Sequence, residues 1–287
     1  MKRNVELAYS FGRDKLTDKT KHLAEGTLLL LTREGQRNIP PAATATLHAS
    51  ESYAEGRTNS AQGVWFADMQ TQSVEGEAVV SRPVAIKPIG PAWLATKEVK
   101  QAELLNTVGT EDYPDVAVNP ITFTPIGLLN DNGRIATVTA FEPAVTSFDN
   151  TLWRREQASP PSDQAIQTAL SYSATSLIFL HANQFVHGDA QVKNTAYDGV
   201  AGRIVDITTT KKRSNMHGHH TEYMDDLSTY VKSVAAHKEF NHVSTEQLEA
   251  WFVDYYKWCV RDIYPEETQD IVHMHLDGLL QNYDQLS

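Results

Sequence analysis

The segment FVHGDAQVKN, residues 185–194, gathers His187, Asp189 and Asn194, and Asp206 follows the apolar run Ile204-Val205. Two carboxylates and an amide on loops at strand ends have a definite chemical use. An Asp in such a loop can accept the proton of an attacking hydroxyl. An Asn and a second Asp offer neutral and anionic oxygens, which suit the hard cation Mg²⁺. Phosphoryl transfer needs both: a group to orient the nucleophile and a metal to offset phosphate charge. Asp and Asn also shape turns. That use accounts for Asp189 and Asn194 but not for Asp206 behind its apolar strand.

The elements that must position these residues fall into two stretches. ATLHAS, GVWFADMQT and RPVAIKPI read as strands, rich in Val, Ile, Thr and aromatics. Residues 94–108 read as a helix closed by Gly109. NPITFTPIGLL and RIATVTAF read as a hairpin about Asp131-Asn132-Gly133. Beyond Phe141 the pattern turns helical. Ile166, Leu170, Ala174, Leu177 and Leu180 recur at helical spacing ahead of the catalytic-type loop, and the last third is helical and aromatic. The run Leu28–Leu31 fits either a strand or a short buried helix. The expected organisation is an N-terminal extension of unassigned structure over 1–40, a sheet-rich lobe over 41–143 and a helical lobe over 144–287.

Composition narrows the class. The 287 residues carry 25 basic and 36 acidic side chains, a net charge of -11, which speaks against a general nucleic-acid binder. The single cysteine, Cys259, excludes an internal disulfide and a multi-cysteine zinc site. It lies among Trp251, Phe252, Tyr255, Tyr256 and Trp258 and reads as a small core residue. The run Leu28–Leu31 is far too short to cross a bilayer, and residues 1–16 hold no apolar run fit for a signal peptide. No membrane association and a cytoplasmic location are expected.

The span FLHANQFVHGDAQVKNTAYDGVAGRIVDI resembles the catalytic and metal-binding segments of the protein-kinase-like superfamily, which includes Ser/Thr protein kinases, Rio-type atypical kinases and aminoglycoside and choline phosphotransferases. Its H-G-D-x-x-x-x-N form is nearer the small-molecule members than the H-R-D of typical protein kinases. The resemblance implies an α+β, two-lobed protein-kinase-like fold, with a sheet-rich N-lobe holding one key helix and a helical C-lobe. It implies ATP and Mg²⁺ as cofactors. Asp189 would orient and deprotonate the acceptor, Lys193 would neutralise the transferring group or contact substrate, and Asn194 and Asp206 would hold Mg²⁺. His187 would prop the loop.

Further matches lie upstream. Val84-Ala85-Ile86-Lys87 resembles the strand that presents the phosphate-binding Lys. Glu103 resembles its helix partner, with Glu98 as the competitor. Thr139–Pro143, with Glu142, resembles the adenine-reading linker. Ser60 and Gly63 stand, with Gly56, where the family has a glycine-rich loop, here depleted of glycine. Asp226, in Asp225-Asp226-Leu227, resembles the buried Asp that braces the catalytic loop. Asp206 is followed by Ile207-Thr208 and not by Phe-Gly, and no Ala-Pro-Glu follows. The implied activity is transfer of the γ-phosphoryl group of ATP to a hydroxyl, by a protein Ser/Thr kinase of atypical type. The alternatives are a small-molecule kinase of aminoglycoside or choline type, or a nucleotide-binding pseudokinase. The partner would be a protein or small-molecule hydroxyl acceptor.

Overall fold

A computed structural model gives the fold. It describes residues 2–11, 16–32, 42–49, 64–73, 79–111, 122–140, 146–147, 163–197, 202–213, 218–236 and 242–285. The chain divides into two units, Met1–Leu104 with Phe123–Pro143, and Leu105–Thr122 with Ala144–Ser287.

The first unit contains β1 (Lys2–Phe11), α1 (Leu16–Lys21), β2 (Thr27–Thr32), β3 (Ala42–Ala49), β4 (Trp65–Ser73) and β5 (Val80–Gly90). It also holds the start of α2 (Ala92–Glu111), and then β6 (Gly127–Asp131) and β7 (Arg134–Ala140). The strands close into a barrel in the order β1-β2-β6-β7-β5-β4-β3. Alternation builds the core. Ala45 and Leu47, Ala67 and Met69, Val84 and Ile86, and Ala136 and Val138 are inward pairs two residues apart. Leu28 and Leu30 join them, while Leu29 packs outside with Leu16, Ala95 and Val99 of the two helices. The leucine run is therefore a strand buried on both faces, which is why it lacks alternation. The β6–β7 hairpin turns on Asn132 and Gly133, both at positive φ (52° and 78°), as a two-residue turn of matching twist requires.

The sheet is not the N-lobe sheet of a two-lobed protein-kinase-like fold, and that expectation is corrected here: seven strands form a closed barrel. The reason lies in residues 1–40. They supply β1, which pairs in parallel with β2 (Leu7 opposite Leu28) and antiparallel with β3 (Arg3 opposite Leu47). Both edges of β1 are hydrogen-bonded, so the sheet has no free edge.

The second unit contains β8 (Thr146–Ser147), α3 (Asp163–Ala182), β9 (Phe185–Val186), β10 (Thr195–Tyr197), β11 (Gly202–Ile204) and β12 (Lys211–Lys212). The helices α4 (His220–Ala236), α5 (Thr245–Leu248), α6 (Asp254–Ile263) and α7 (Glu266–Gln281) follow. A π-helical turn, Glu249–Val253, joins α5 to α6. Two small sheets, β11-β10-β8 and β12-β9, carry the loops. The apolar stripe of α3 buries Ile166, Leu170, Ala174 and Leu177 against Tyr223, Tyr230, Phe252 and Tyr256. Cys259 lies in this core, and burial pushes its thiol up to about 11, so it stays protonated. Among the described residues no helix is long and apolar enough to cross a membrane.

Candidate functional site

The loop after α3 is fixed from beneath. Asn183 and Gln184 end the helix in a turn, with Gln184 at φ 64°. Phe185 and Val186 then pair with Lys212 and Lys211. At Gly188 the backbone takes φ 78°, and a Cβ there would meet the Thr209 carbonyl oxygen at 3.4 Å. Asp226 of α4 receives this backbone: its Oδ2 accepts from His187 N at 2.6 Å and its Oδ1 from Gly188 N at 2.9 Å. His181 Nε2 lies 3.2 Å from the same Oδ2, and its Nδ1 bonds the Tyr256 hydroxyl. Burial alone would raise the Asp226 carboxyl. The His181 hydrogen bond and charge and the two backbone N–H groups outweigh burial and hold the carboxyl below its ordinary value.

His187 is wholly buried. Burial lowers its pKa, and the opposing pull of Asp226, the Val205 carbonyl, Asp189 and Asp206 does not reverse that. The neutral ring fits its contacts. Nε2 lies 3.2 Å from the Val205 carbonyl oxygen, which it donates to, and Nδ1 accepts from Asp189 N at 3.2 Å. His187 thus links Asp189 to Val205, the residue before Asp206.

Asp189 and Asn194 meet. Asn194 Nδ2 donates to Asp189 Oδ2 and to the Asp189 carbonyl, each at 2.9 Å. The contact is local: a 3₁₀ turn, Val192–Asn194, brings the amide back over the loop, and Asn194 N bonds the Gln191 carbonyl at 2.8 Å. The other carboxylate oxygen, Oδ1, accepts from Gln191 Nε2 at 2.6 Å. Val192 N is tied to Ser233 of α4 at 2.8 Å. Lys193, half-buried, stands in the same turn.

Asp206 is held near by backbone. Val205 N donates to the Asn194 carbonyl at 2.7 Å, and Asp206 itself is in the left-handed region at φ 58°, ψ 49°. A non-glycine residue there is strained by about 1–3 kcal/mol, a cost met most often at functional loops. Thr208 Oγ1 lies 3.4 Å from Asp206 Oδ1. Asn194 directs its amide nitrogen to Asp189, so its oxygen is the atom that would face a cation. With Asp206 it would make an all-oxygen donor set of one amide and one carboxylate. Such a set fits Mg²⁺, which keeps several waters and phosphate oxygens and is not caged by protein alone. No cluster of three His, Cys, Asp or Glu side chains suited to a metal occurs among the described residues.

In the first unit Lys87 lies on β5, and Glu98 reaches it from α2: Lys87 Nζ to Glu98 Oε2 is 3.3 Å. Thr137 Oγ1 donates to Glu98 Oε1 at 3.3 Å, so both carboxylate oxygens are engaged. Glu98 and Glu103 are both buried on α2, and the carboxylate set on Lys87 is Glu98, the competitor in the sequence reading. Five residues apart, the two acids cannot be ranked by spacing from a strand of unknown register. Ser60, Gly63 and Glu142 lie outside the described residues.

Two participants escaped the sequence reading. Gln191 gave no motif, only an amide two residues after Asp189. His181 had a signal: it continues the stripe Leu170, Ala174, Leu177 with an ionisable side chain, and is wholly buried.

No family model matches the chain, and no curated protein matches it. A solved structure described as "WaaP in complex with acyl carrier protein" is similar over 84% of this chain and 88% of that one, at 13% identity and a TM-score of 0.44. At that identity and score the likeness assigns neither a fold nor an activity.

Proposed function

We propose that the protein is a phosphotransferase that moves the γ-phosphoryl group of ATP to a hydroxyl. The observation that carries this reading is the Asp189–Asn194 contact at 2.9 Å, on a loop whose backbone is clamped by a buried carboxylate. Asp189 takes the acceptor proton. The acceptor oxygen bonds to the γ-phosphorus, the bond to the β-phosphate oxygen breaks, and ADP leaves. Asn194 and Asp206 would hold Mg²⁺, which when bound offsets the charge of the β- and γ-phosphates. Lys87, oriented by Glu98, takes the α- and β-phosphates. Lys193 serves the transferring group or the acceptor. Positioning and charge stabilisation supply most of such catalysis.

For the acceptor we propose a Ser or Thr hydroxyl on an acidic polypeptide. Lys211 and Lys212 are exposed on the strand paired with β9, whose last residue, Val186, lies three positions before Asp189. Two cations there favour an anionic substrate segment. The test is label transfer from γ-labelled ATP with Mg²⁺ into a cell extract, with Asp189→Asn run in parallel. Label in protein that the variant loses supports the reading. Label confined to small molecules moves the acceptor to that class, and equal labelling by both proteins overturns the phosphotransferase reading.

A further inference from the structure

Each oxygen of the Asp189 carboxylate accepts one side-chain hydrogen bond. Asn194 holds Oδ2, and Gln191 Nε2 holds Oδ1 at 2.6 Å. Asn194 is buried and also bonds the Asp189 carbonyl, so it is built into the turn. Gln191 differs. Its side chain is half-buried, while its neighbours Ala190 and Val192 are buried on either side. Its backbone is fixed by Gln191 N to the Asp189 carbonyl and by Asn194 N to the Gln191 carbonyl, each at 2.8 Å. Only side-chain torsions need change to lift the amide off Oδ1.

We propose that Gln191 is a displaceable cover on Asp189 that keeps the carboxylate from activating water, and so directs phosphoryl transfer to a bound acceptor. The inference rests on the phosphotransferase reading above. One donor stands on each oxygen of this carboxylate, and an incoming hydroxyl must compete with them for its lone pairs. An amide-to-carboxylate bond is charge-assisted and costs more to break than a neutral one. Water brings nothing to offset that cost, because it has no other part for the protein to hold. An acceptor bound through groups remote from its hydroxyl does, and its remote contacts can drive the amide aside. The freed Oδ1 then takes the acceptor proton. Hydrolysis, the competing reaction, would use the same atoms: water oxygen bonds to the γ-phosphorus, ADP leaves, and the water proton goes to Asp189. Gln191 is a positioning residue in this scheme. Its removal should raise one rate, which loss of a merely structural contact would not do.

The experiment is phosphate release from Mg²⁺-ATP by the full chain with no acceptor added. Wild type, Gln191→Met, Gln191→Ala, Asp189→Asn and each Gln191 variant combined with Asp189→Asn are compared, with melting curves to confirm folding. Met keeps the length without the donor, and Ala controls for packing of the Met. The expected result is release about tenfold faster in both single Gln191 variants, equal to about 1.4 kcal/mol off the barrier, and background release once Asp189→Asn is added. Release that depends on Asp189 but is no faster without Gln191 overturns the cover and leaves the phosphotransferase reading standing. No release above background in wild type or either Gln191 variant also overturns the cover. Release indifferent to Asp189 overturns both.

Discussion

The Asp226 carboxylate accepts the backbone N–H of His187 at 2.6 Å, so a helix residue thirty-nine positions downstream sets the loop that carries Asp189. Replacing Asp226 with Asn puts an amide where two N–H groups need acceptors. The expected loss is about 3 kcal/mol of stability, the scale for breaking a buried charged network, with phosphoryl transfer reduced more than a hundredfold. Denaturant melts beside turnover of the folded fraction check this. Full specific activity in that fraction would show that the clamp is dispensable.

His187 makes the fold sensitive to mild acid. Burial holds its folded pKa below the ordinary 6.5, and the unfolded chain protonates near that ordinary value. Below pH 6.5 the unfolded state binds more protons, so the stability this residue confers is present above that pH and is lost as pH falls towards the folded value. His275, lowered by burial as well, adds to the same slope. Asp226 acts in a separate window: its lowered pKa means that its contribution is lost only on descending below 3.8. Urea midpoints from pH 7.5 to 5.5 should fall, and His187→Gln should flatten the fall. An unchanged slope would exclude His187 as its source.

Lys87 and Glu98 act as a pair in the proposed reaction. Lys87→Met should lower ATP affinity about tenfold and turnover about a hundredfold, the scale of losing one donor to developing charge. Glu98→Gln should give a smaller loss of the same kind, because the Lys then lacks its anchor. Titration calorimetry with ATP and steady-state turnover separate the two effects. A Glu98→Gln protein indistinguishable from wild type, with Glu103→Gln impaired, would transfer the anchoring role to Glu103.

Asn194→Ala should raise the Mg²⁺ concentration needed for half-maximal transfer about tenfold, and chelation should abolish transfer in all variants. The Mg²⁺ titration at fixed ATP checks this. An unshifted titration would remove Asn194 from the metal.

Gly127 is required by packing, not by backbone angle. A Cβ there would stand 2.9 Å from Leu28 Cδ1 and 3.2 Å from the Leu29 carbonyl oxygen. Gly127→Ala should cost about 2 kcal/mol, as overpacking does, visible as a lower denaturant midpoint at constant slope.

Local order was legible in the sequence, and closure was not. Alternation marks β3, β4 and β5, because each has one face in the barrel core and the other outside it. The same rule fails for β2, whose leucines are buried on both faces. It fails again for the parallel β1–β2 pair, since no turn motif announces a parallel neighbour. Those two strands convert the expected lobe into a barrel. In the site, the five-residue spacing of Asp189 and Asn194 carries a contact that one turn can make. The choice between Glu98 and Glu103 depends on how α2 is rotated over β5, and no short stretch encodes that.

Closure has a consequence during synthesis. Leu28 lies opposite Leu129, and Lys87 opposite Thr137. The second edge of β2 therefore waits for a partner about a hundred residues behind it, roughly 5–20 s at ordinary translation rates. Through that interval β2 has β1 as its one strand partner, and the part of its core face that β6 and β7 cover stays open. The emerging polypeptide thus calls for a holding chaperone early, and a pause in translation before residue 140 should lower the yield of folded protein more than a pause after it.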